Sequence, residues 1–341
     1  MKKTKLFLIG SALPLLAGLV SCGKTHANVG LLYCAAEANS LYQVNVVKEE
    51  LEKRNLSAKL ISFSDSNDIQ SVLEGTINSV DTIYLPTDNA CASNAEIINR
   101  IVRQHKKPVF AGEEGICKGA GAITLSISYY NIGVETGKMA IDILVSNRDI
   151  KSLPIAYDSN PVKKYNKNFC DELGITVPSD YVELGSNAGS SASPLDGVSF
   201  VNSSNNKFKI GISQLITHDA LDAATNGFID AVKKGLGEDN VEIDLQNAAG
   251  QSDLCSTIAN TFVAHNVDLI MANATPALQA AANSTNTIPV LGTSVTEYGV
   301  ALAIENFTGV TGINVSGTSD LAPLDVQAQM LSEVFASFMN K

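Results

Sequence analysis

Short polar loops that follow apolar runs carry most of the side chains in this chain that can contact a ligand. In a doubly wound α/β sheet, ligands lie at the carboxyl ends of the strands, where helix N-termini present unpaired backbone N–H groups. The loops in question are 34–40, 86–91, 112–118, 213–219, 273–277 and 292–298. We predict a binding site there, with the candidate contacts Asn39, Ser40, Asp88, Asn89, Glu113, Gln214, Thr275, Ser294 and Thr296.

The charges in these loops favour some ligands over others. None of the loops contains an arginine, and only Lys118 brings a positive charge. Clamping of a carboxylate or phosphate by guanidinium groups is therefore disfavoured. Backbone N–H groups and hydroxyls would hold an anionic group instead, for example where Thr275 suits an N-cap and Pro276 the first helical turn.

Acidic residues in the same loops can meet a cationic group. For Asp88 and Glu113 this interpretation and that of a solvated loop carboxylate are equally good, whereas Glu37, Glu114 and Glu297 are expected to be solvated. Together with the hydroxyls, these carboxylates suit a zwitterion such as an amino acid. Nucleosides, thiamine-like cations and branched amino acids stay open as alternatives.

Two tyrosines and one histidine are further candidates for ligand contact, and no catalytic motif accompanies them. Tyr129 and Tyr130 begin a helix after a strand, where one can stack on a flat ligand and the other pack in the core. His218 is the one histidine in a candidate loop, and helix capping or ligand contact suits it better than general base chemistry. The chain has no nucleophile elbow, phosphate loop, dinucleotide fingerprint or metal-ligand spacing. We predict a binding protein with no catalytic residue, cofactor or metal.

The segments that hold these loops form two similar arrays. Residues 80–90 and 267–277 each predict a buried strand, then a polar loop and a helix, and the strands before and after each copy also correspond. Apolar runs alternate with amphipathic stretches over 27–184 and again over 208–341, which is typical of parallel sheets with crossover helices. The helices predicted include 91–105, 129–147 and 219–235, and the strands predicted in the second array lie near 208–213, 240–246, 267–273 and 288–293. The predicted fold class is α/β, with two doubly wound parallel-sheet lobes and an interlobe cleft. Residues 185–207, rich in Gly, Ser and Asn, are expected to be a flexible linker.

Length and charge narrow the class of protein further. At 341 residues with 45% hydrophobic content, the chain is long enough for two domains with cores of their own. A net charge of -11 and a pI near 4.8 argue against nucleic acid or an anionic membrane face as a partner.

The first 22 residues predict a targeting segment. Lysines at 2, 3 and 5 precede 15 mostly apolar residues (6–20), too few for a comfortable membrane span. Residues 19–22, Leu-Val-Ser-Cys, are similar to a bacterial lipobox, in which Cys22 carries lipid and anchors the mature protein outside the cytoplasm. The five other cysteines are an odd number, and buried thiols are favoured over a disulfide.

Ordered motifs across both arrays resemble one family, the ABC-transporter substrate-binding lipoproteins of the tryptophan/tyrosine uptake type. They cover nearly all of 27–184 and 208–333. The motifs are Glu37-Ala-Asn-Ser40, Pro86-Thr-Asp-Asn89, Phe110-Ala-Gly-Glu113, Tyr129-Tyr130 with Gly137-Lys-Met139, Ile210-Gly-Ile-Ser-Gln214, His218-Asp-Ala-Leu-Asp222, Gln246-Asn-Ala-x-Gly250, Ala274-Thr-Pro-Ala277, Val310-Thr-Gly312 and Ser319-Asp-Leu-x-Pro323.

The resemblance implies the periplasmic-binding type I fold, whose two lobes close over a ligand and deliver it to an ABC permease. The ligand that the resemblance implies is an amino acid, with an aromatic side chain favoured. The candidate contacts carried over by motif are Ser40, Asp88, Asn89, Glu113, Gln214, Thr275 and Ser294.

The order of the two arrays departs from the family. There the Ile-Gly-Ile-Ser-Gln segment comes first, whereas here 27–184 precedes 208–341. The chain therefore resembles a circular permutation, with 185–207 joining the family's old ends. We expect the new ends, near 24–28 and 334–341, to lie at a former crossover between lobes. One hinge connection would then be absent, and the lipid anchor would attach beside the hinge.

Other functions remain compatible with these observations. A ligand-sensing lipoprotein for a signalling partner would use the same fold. A rearranged surface lipoprotein that binds nothing would explain the permuted order. An extracytoplasmic enzyme is disfavoured because nucleophile and base motifs are missing.

Overall fold

The computed structural model describes residues 28–158, 160–186, 193–201 and 207–339. They form two α/β lobes, each built on one sheet, which confirms the predicted fold class. The strands are β1 (Asn28–Cys34), β2 (Ser57–Phe63), β3 (Thr82–Leu85), β4 (Val109–Ala111), β5 (Ile123–Ser126), β6 (Ala156–Tyr157), β7 (Val162–Tyr165), β8 (Val182–Glu183), β9 (Phe208–Gln214), β10 (Val241–Asn247), β11 (Leu269–Asn273), β12 (Val290–Val295) and β13 (Val315–Ser319).

The helices pack on the faces of these two sheets. In chain order they are α1 (Ala38–Lys53), α2 (Ile69–Thr76), α3 (Asn89–Ser93), α4 (Ala95–Gln104), α5 (Glu114–Ala120), α6 (Tyr129–Ser146), α7 (Lys167–Leu173), α8 (Asp219–Leu236), α9 (Ser252–Ala264), α10 (Thr275–Ser284), α11 (Tyr298–Ala301), α12 (Leu324–Val334) and α13 (Ala336–Met339). Within the described part of the chain, no helix combines the length and apolar character needed to cross a membrane.

Lobe 1 contains the seven-stranded sheet, in the order β2-β1-β3-β4-β5-β7-β8. Its strand pairs are parallel except β5 with β7. Strand β1 reads Asn-Val-Gly-Leu-Leu-Tyr-Cys, and every residue after Asn28 is buried. Such a continuous apolar run is typical of a parallel strand that helices cover on both faces.

Lobe 2 contains the six-stranded sheet, in the order β10-β9-β11-β12-β13-β6, and all its pairs are parallel. Helices α6 and α8 cover one face and approach each other closely. A Cβ added at Gly133 of α6 would lie 2.1 Å from the carbonyl oxygen of Ala224, and one at Gly227 of α8 would lie 2.2 Å from that of Tyr130. Glycine is therefore required at both positions of this helix crossing.

In each lobe, one packed helix follows a strand of the other lobe. Helix α6 follows β5 of lobe 1 but packs on α8 of lobe 2, and α12 follows β13 of lobe 2 but packs on α1 in the core of lobe 1. The chain accordingly passes between the lobes at 127–128, 158–161 and 320–323, and a further time between β8 and β9.

These crossings correct the expected position of the chain's ends. Strand β1 and helices α12 and α13 all belong to lobe 1, so the two ends of the described chain lie within one lobe. The prediction of an absent hinge connection is wrong, because 320–323 already carries the chain from β13 to α12. Asn28 begins β1 at the end of the sheet opposite to the cleft, which removes the argument for an anchor beside the hinge. Cys22 and the rest of 1–27 lie outside the described residues.

Part of the expected linker is folded. Residues 194–197 form a short 3-10 helix, which Ser193 and Asp196 cap reciprocally, and Val198 is buried against α6 and α8. The N–H of Val201 donates to the carbonyl of Gly235, 2.7 Å away. The flexible-linker interpretation is therefore wrong for 193–201. Residues 187–192 and 202–206 lie outside the described residues.

Candidate functional site

A small cavity lies between the lobes at the carboxyl ends of both sheets. It has room for about one water molecule. Six of the ten predicted ligand contacts line it, namely Asn39, Asp88, Asn89, Glu113, Tyr129 and Ser294. The rest of the wall is His218, for which helix capping or ligand contact was predicted, together with Thr87, Ala92, Leu221 and Asp320.

Both lobes and two crossovers contribute to this wall. In lobe 1, Asn39 lies in the first turn of α1 and Glu113 immediately before α5. In lobe 2, Ser294 lies in β12. Tyr129 and Asp320 follow β5 and β13, where the chain leaves one lobe for the other. Closure of the lobes therefore assembles the cavity from four separate parts of the fold.

Two predicted carboxylates in the wall cap helices. Asp88 precedes α3, and its oxygens accept hydrogen bonds from the N–H groups of Cys34 at 2.7 Å and Cys91 at 2.8 Å. Glu113 precedes α5 and accepts from the N–H groups of Gly115, at 2.6 Å, and Ile116. Burial raises the pKa of Asp88 above its ordinary value and that of Glu113 to about 7. With exposures of 1% and 3%, neither is a solvated loop carboxylate.

Glu37 is buried as well, contrary to the expectation that it is solvated. Its carboxylate accepts from the side-chain amide of Asn89 at 2.7 Å, from that residue's backbone N–H at 3.1 Å and from the N–H of Ala90 at 3.0 Å. Burial, and then the charge of Asp88, raise the pKa of Glu37 to about 8, against the opposing effect of these hydrogen bonds.

Asp320 is the acidic residue that sequence reasoning missed. Its Oδ2 accepts a hydrogen bond of 3.0 Å from the hydroxyl of Tyr129, which joins two of the crossovers between lobes. Its Oδ1 is buried and has no hydrogen-bond partner. Burial raises the pKa of Asp320 to about 6. The one available signal was its place in the Ser-Asp-Leu-x-Pro motif at 319–323.

Some residues of the cavity wall carry buried polar atoms without a hydrogen-bond partner. Asn39 Oδ1, Ser294 Oγ and Asp320 Oδ1 belong to residues of its wall, and each is buried without a hydrogen-bond partner. Leaving a buried polar atom unpaired costs about 1–3 kcal/mol. A ligand that bonded to all three would recover much of that cost.

Direct contacts between the lobes hold this arrangement closed. His218 Nε2 lies 3.2 Å from Asn89 Oδ1, and Gln43 Nε2 lies 3.5 Å from Thr296 Oγ1. The exposed pair Lys118 and Asp219 adds an ion pair of 2.8 Å, which solvent weakens. Burial lowers the pKa of His218 to about 4, so its ring is neutral at pH 7.

The other predicted contacts lie outside the cavity wall. Ser40 is fully buried, and Thr296 contacts Gln43. The side-chain amide of Gln214 donates to Asp222 at 2.6 Å and accepts from Thr225 at 2.7 Å, and so serves the interior of lobe 2.

Thr275 does not occupy the N-cap that the sequence suggested. It is the first residue of α10, and Ala274, with φ of 88°, precedes it in the cap position. The Thr275 side chain is buried and does not line the cavity.

The chain matches the family of ABC transporter substrate binding proteins over residues 25–187 and 209–339, and it belongs to that family. A tyrosine-binding protein of Clostridioides difficile is 43% identical over 127 residues, which are 36% of this chain and 36% of that protein. The match thus spans about a third of the length of this curated relative.

Solved structures resemble the chain in two ways. An ABC domain from Streptococcus pneumoniae in complex with L-Trp is 28% identical over 46% of this chain and 56% of its own, with a TM-score of 0.44. A carbohydrate transporter solute binding protein from Agrobacterium radiobacter, in complex with D-arabinose, is 11% identical over 92% of this chain and 88% of its own, with a TM-score of 0.58. The second likeness supports the two-lobed fold alone.

Proposed function

We propose that this protein is the extracytoplasmic solute-binding component of an ABC importer and that it binds an aromatic amino acid between its lobes. The observation that carries the proposal is that three residues lining one cavity, from both lobes and a crossover, each have a buried polar atom without a hydrogen-bond partner. The family supports the transport role, and the tyrosine-binding relative supports the aromatic ligand. The function is binding and delivery to a permease, without catalysis.

The cavity wall offers separate groups for the ammonium, the carboxylate and the side chain of an amino acid. Asp320 Oδ1 and Asn39 Oδ1 are the acceptors for the ammonium group. No lysine or arginine is among the described residues of the wall. The carboxylate is therefore held by the hydroxyl of Ser294 and by backbone N–H groups. Ala92, Leu221 and the ring of Tyr129 supply the surface for an apolar side chain.

Ligand entry requires movement, because the closed cavity has room for about one water molecule. The lobes first separate about the crossovers, and side chains of the wall then rotate so that the cavity encloses the ligand on closure. Contacts from both lobes form together only in the closed state, so the ligand shifts the population towards it.

Thermal unfolding of the soluble form that begins after Cys22 tests this proposal, with a panel of amino acids, nucleosides and thiamine. A ligand at about 100 times its Kd adds about 2.7 kcal/mol of stability. We expect selective stabilisation by tryptophan, tyrosine or phenylalanine. The chain has no tryptophan, so the fluorescence of added L-tryptophan reports binding without protein background. No stabilisation by any of the three would contradict the aromatic ligand.

We propose further that the chain is lipid-anchored through Cys22 and circularly permuted relative to its family. The lipobox at 19–22 supports the first part, and Cys22→Ala should release the protein from the membrane fraction. Two features support the second. The family matches in two separate segments, and α12 packs against α1 although about 270 residues separate them in the chain.

A further inference from the structure

Asn89 is held from both sides of the cleft. Its side-chain nitrogen donates to Glu37 Oε2 at 2.7 Å within lobe 1, and its Oδ1 lies 3.2 Å from His218 Nε2 of lobe 2. Asn89 and His218 line the cavity, whereas Glu37 does not. The three side chains thus form a continuous chain of hydrogen bonds from the interior of lobe 1 across the cleft.

The carboxylate decides which way the Asn89 amide points. Above its pKa of about 8 Glu37 is an ionised carboxylate, which accepts hydrogen bonds and donates none, so it requires the NH₂ group of Asn89 on its side. The amide oxygen is then left to face His218. Because an amide oxygen can only accept, His218 must carry a hydrogen on Nε2, which fixes the tautomer of the neutral ring.

We infer that Glu37 is a positioning residue for lobe closure, which acts through Asn89 to fix the hydrogen bond between Asn89 and His218. Its role in the cleft is therefore indirect: Glu37 does not itself line the cavity, but it determines which atom of Asn89 faces the opposite lobe. The inference deepens the proposed function and rests on it only for the binding measurement below.

The first experiment needs no ligand. Long-range ¹H–¹⁵N correlation spectra of the soluble protein at pH 9, where Glu37 is ionised and His218 is neutral, report which ring nitrogen of His218 carries the hydrogen. We expect the Nε2–H tautomer in the wild type and a mixture in Glu37→Gln, because the glutamine amide can pair with either orientation of Asn89. A wild-type Nδ1–H tautomer, or a spectrum unchanged by Glu37→Gln, would overturn the inference.

The second experiment is a double-mutant cycle of Glu37→Gln and His218→Ala at pH 9, read out as the Kd for L-tryptophan. Glu37→Gln alone should weaken binding by about 3- to 10-fold, the range for one hydrogen bond. In the His218→Ala background the same change should alter Kd by less than about 2-fold. Additive effects, or stronger binding in Glu37→Gln, would refute positioning through His218.

Matched controls separate this role from helix capping. Glu49→Gln changes an exposed residue of α1, and His265→Ala an exposed histidine after α9; neither should alter Kd. The Glu37 side chain also caps α3, because it accepts from the N–H groups of Asn89 and Ala90. Loss of this cap lowers Tm equally in both His218 backgrounds, whereas the positioning role appears only when His218 is present. If the wild type binds none of the aromatic amino acids, the proposed function fails, and the tautomer measurement still decides the inference.

Discussion

At the scale of single residues, the sequence predicted which loops lie at the cavity, but not whether each side chain caps a helix or faces a ligand. Asp88 and Glu113 were candidates for a cationic group, and in the structure their oxygens bond to backbone N–H groups at helix N-termini. Helix capping and ligand contact use the same residue types after a strand, so sequence cannot separate them. Asp320 was missed because β13, Val-Ser-Gly-Thr-Ser, is buried without being apolar. The strand was not predicted, and the loop after it was not considered.

Asp320→Asn tests the acceptor for the ligand's ammonium group. The substitution preserves size and removes the charge, so it should weaken L-tryptophan binding by about 10-fold or more, as expected for a charge-assisted hydrogen bond. Isothermal titration calorimetry at pH 8, where the wild-type carboxylate is ionised, measures the change. Asp325→Asn, at an exposed position of α12, is the control and should bind as the wild type does. Equal affinities for all three proteins would remove Asp320 from the site.

The buried carboxylates also predict a pH dependence of stability without ligand. Burial raises the pKa of Glu113 from 4.5 to about 7 and that of Glu37 from 4.5 to about 8. Between pH 4.5 and the raised pKa of each residue, the folded protein binds more protons than the unfolded chain does. The free energy of unfolding therefore falls as pH rises through this interval. His218, with its pKa lowered from 6.5 to about 4, acts in the opposite direction, but only below pH 6.5.

We therefore expect Tm of the ligand-free protein to fall from pH 6.5 to pH 8. Differential scanning calorimetry measures it, and Glu113→Gln should show a shallower fall because one of the titrating groups is gone. A Tm that rises over this interval would mean that these carboxylates are ionised in the folded protein at pH 6.5.

At the scale of elements, the long amphipathic helices were predictable and the short polar elements were not. Helices expected at 129–147 and 219–235 are observed as α6 and α8, within a residue at each end. The single helix expected at 91–105 is two, because Asn94 leaves helical geometry between α3 and α4. Strands β6, β7 and β8 have two to four residues each, too few to show a periodicity.

The crossing of α6 and α8 makes a test at this scale. In an ordinary helix, glycine to alanine stabilises by about 1 kcal/mol. Gly133→Ala should instead destabilise by about 1–3 kcal/mol, because the new Cβ meets the carbonyl oxygen of Ala224 and the helices must separate. Gly75→Ala in α2 is the control: it has nothing within 4 Å and should be neutral or stabilising. Urea unfolding of both variants compares them, and a stable Gly133→Ala protein would show that the crossing is looser.

At the scale of the whole molecule, the repeated strand–loop–helix pattern predicted two lobes, but not which helix joins which lobe. Sequence order suggested that everything in 27–184 belongs together, and α6 departs from that rule. A crossover helix packs where its apolar face is covered, and the 3.6-residue period of that face does not indicate which sheet covers it. The prediction that one hinge connection is absent was wrong for this reason.

Restoring the family's order tests the permutation. A chain of 193–339 followed by 28–186, joined by a flexible linker of about ten residues, should fold and bind the same amino acid, because the contacts of 193–201 with lobe 2 and those within each lobe are retained. Circular dichroism, Tm and the Kd for L-tryptophan provide the comparison. A rearranged chain that unfolds or loses affinity would show that the present order contributes to the cleft.

The exchange of α6 and α12 also determines how the molecule can be divided. Cut between the arrays, each half would lack a helix of its own core and carry one that belongs to the other. Neither half can then fold as an independent domain, although the order of the two halves along the chain can change. The two fragments, made together, should find each other and fold, and either one made alone should remain a substrate for proteases.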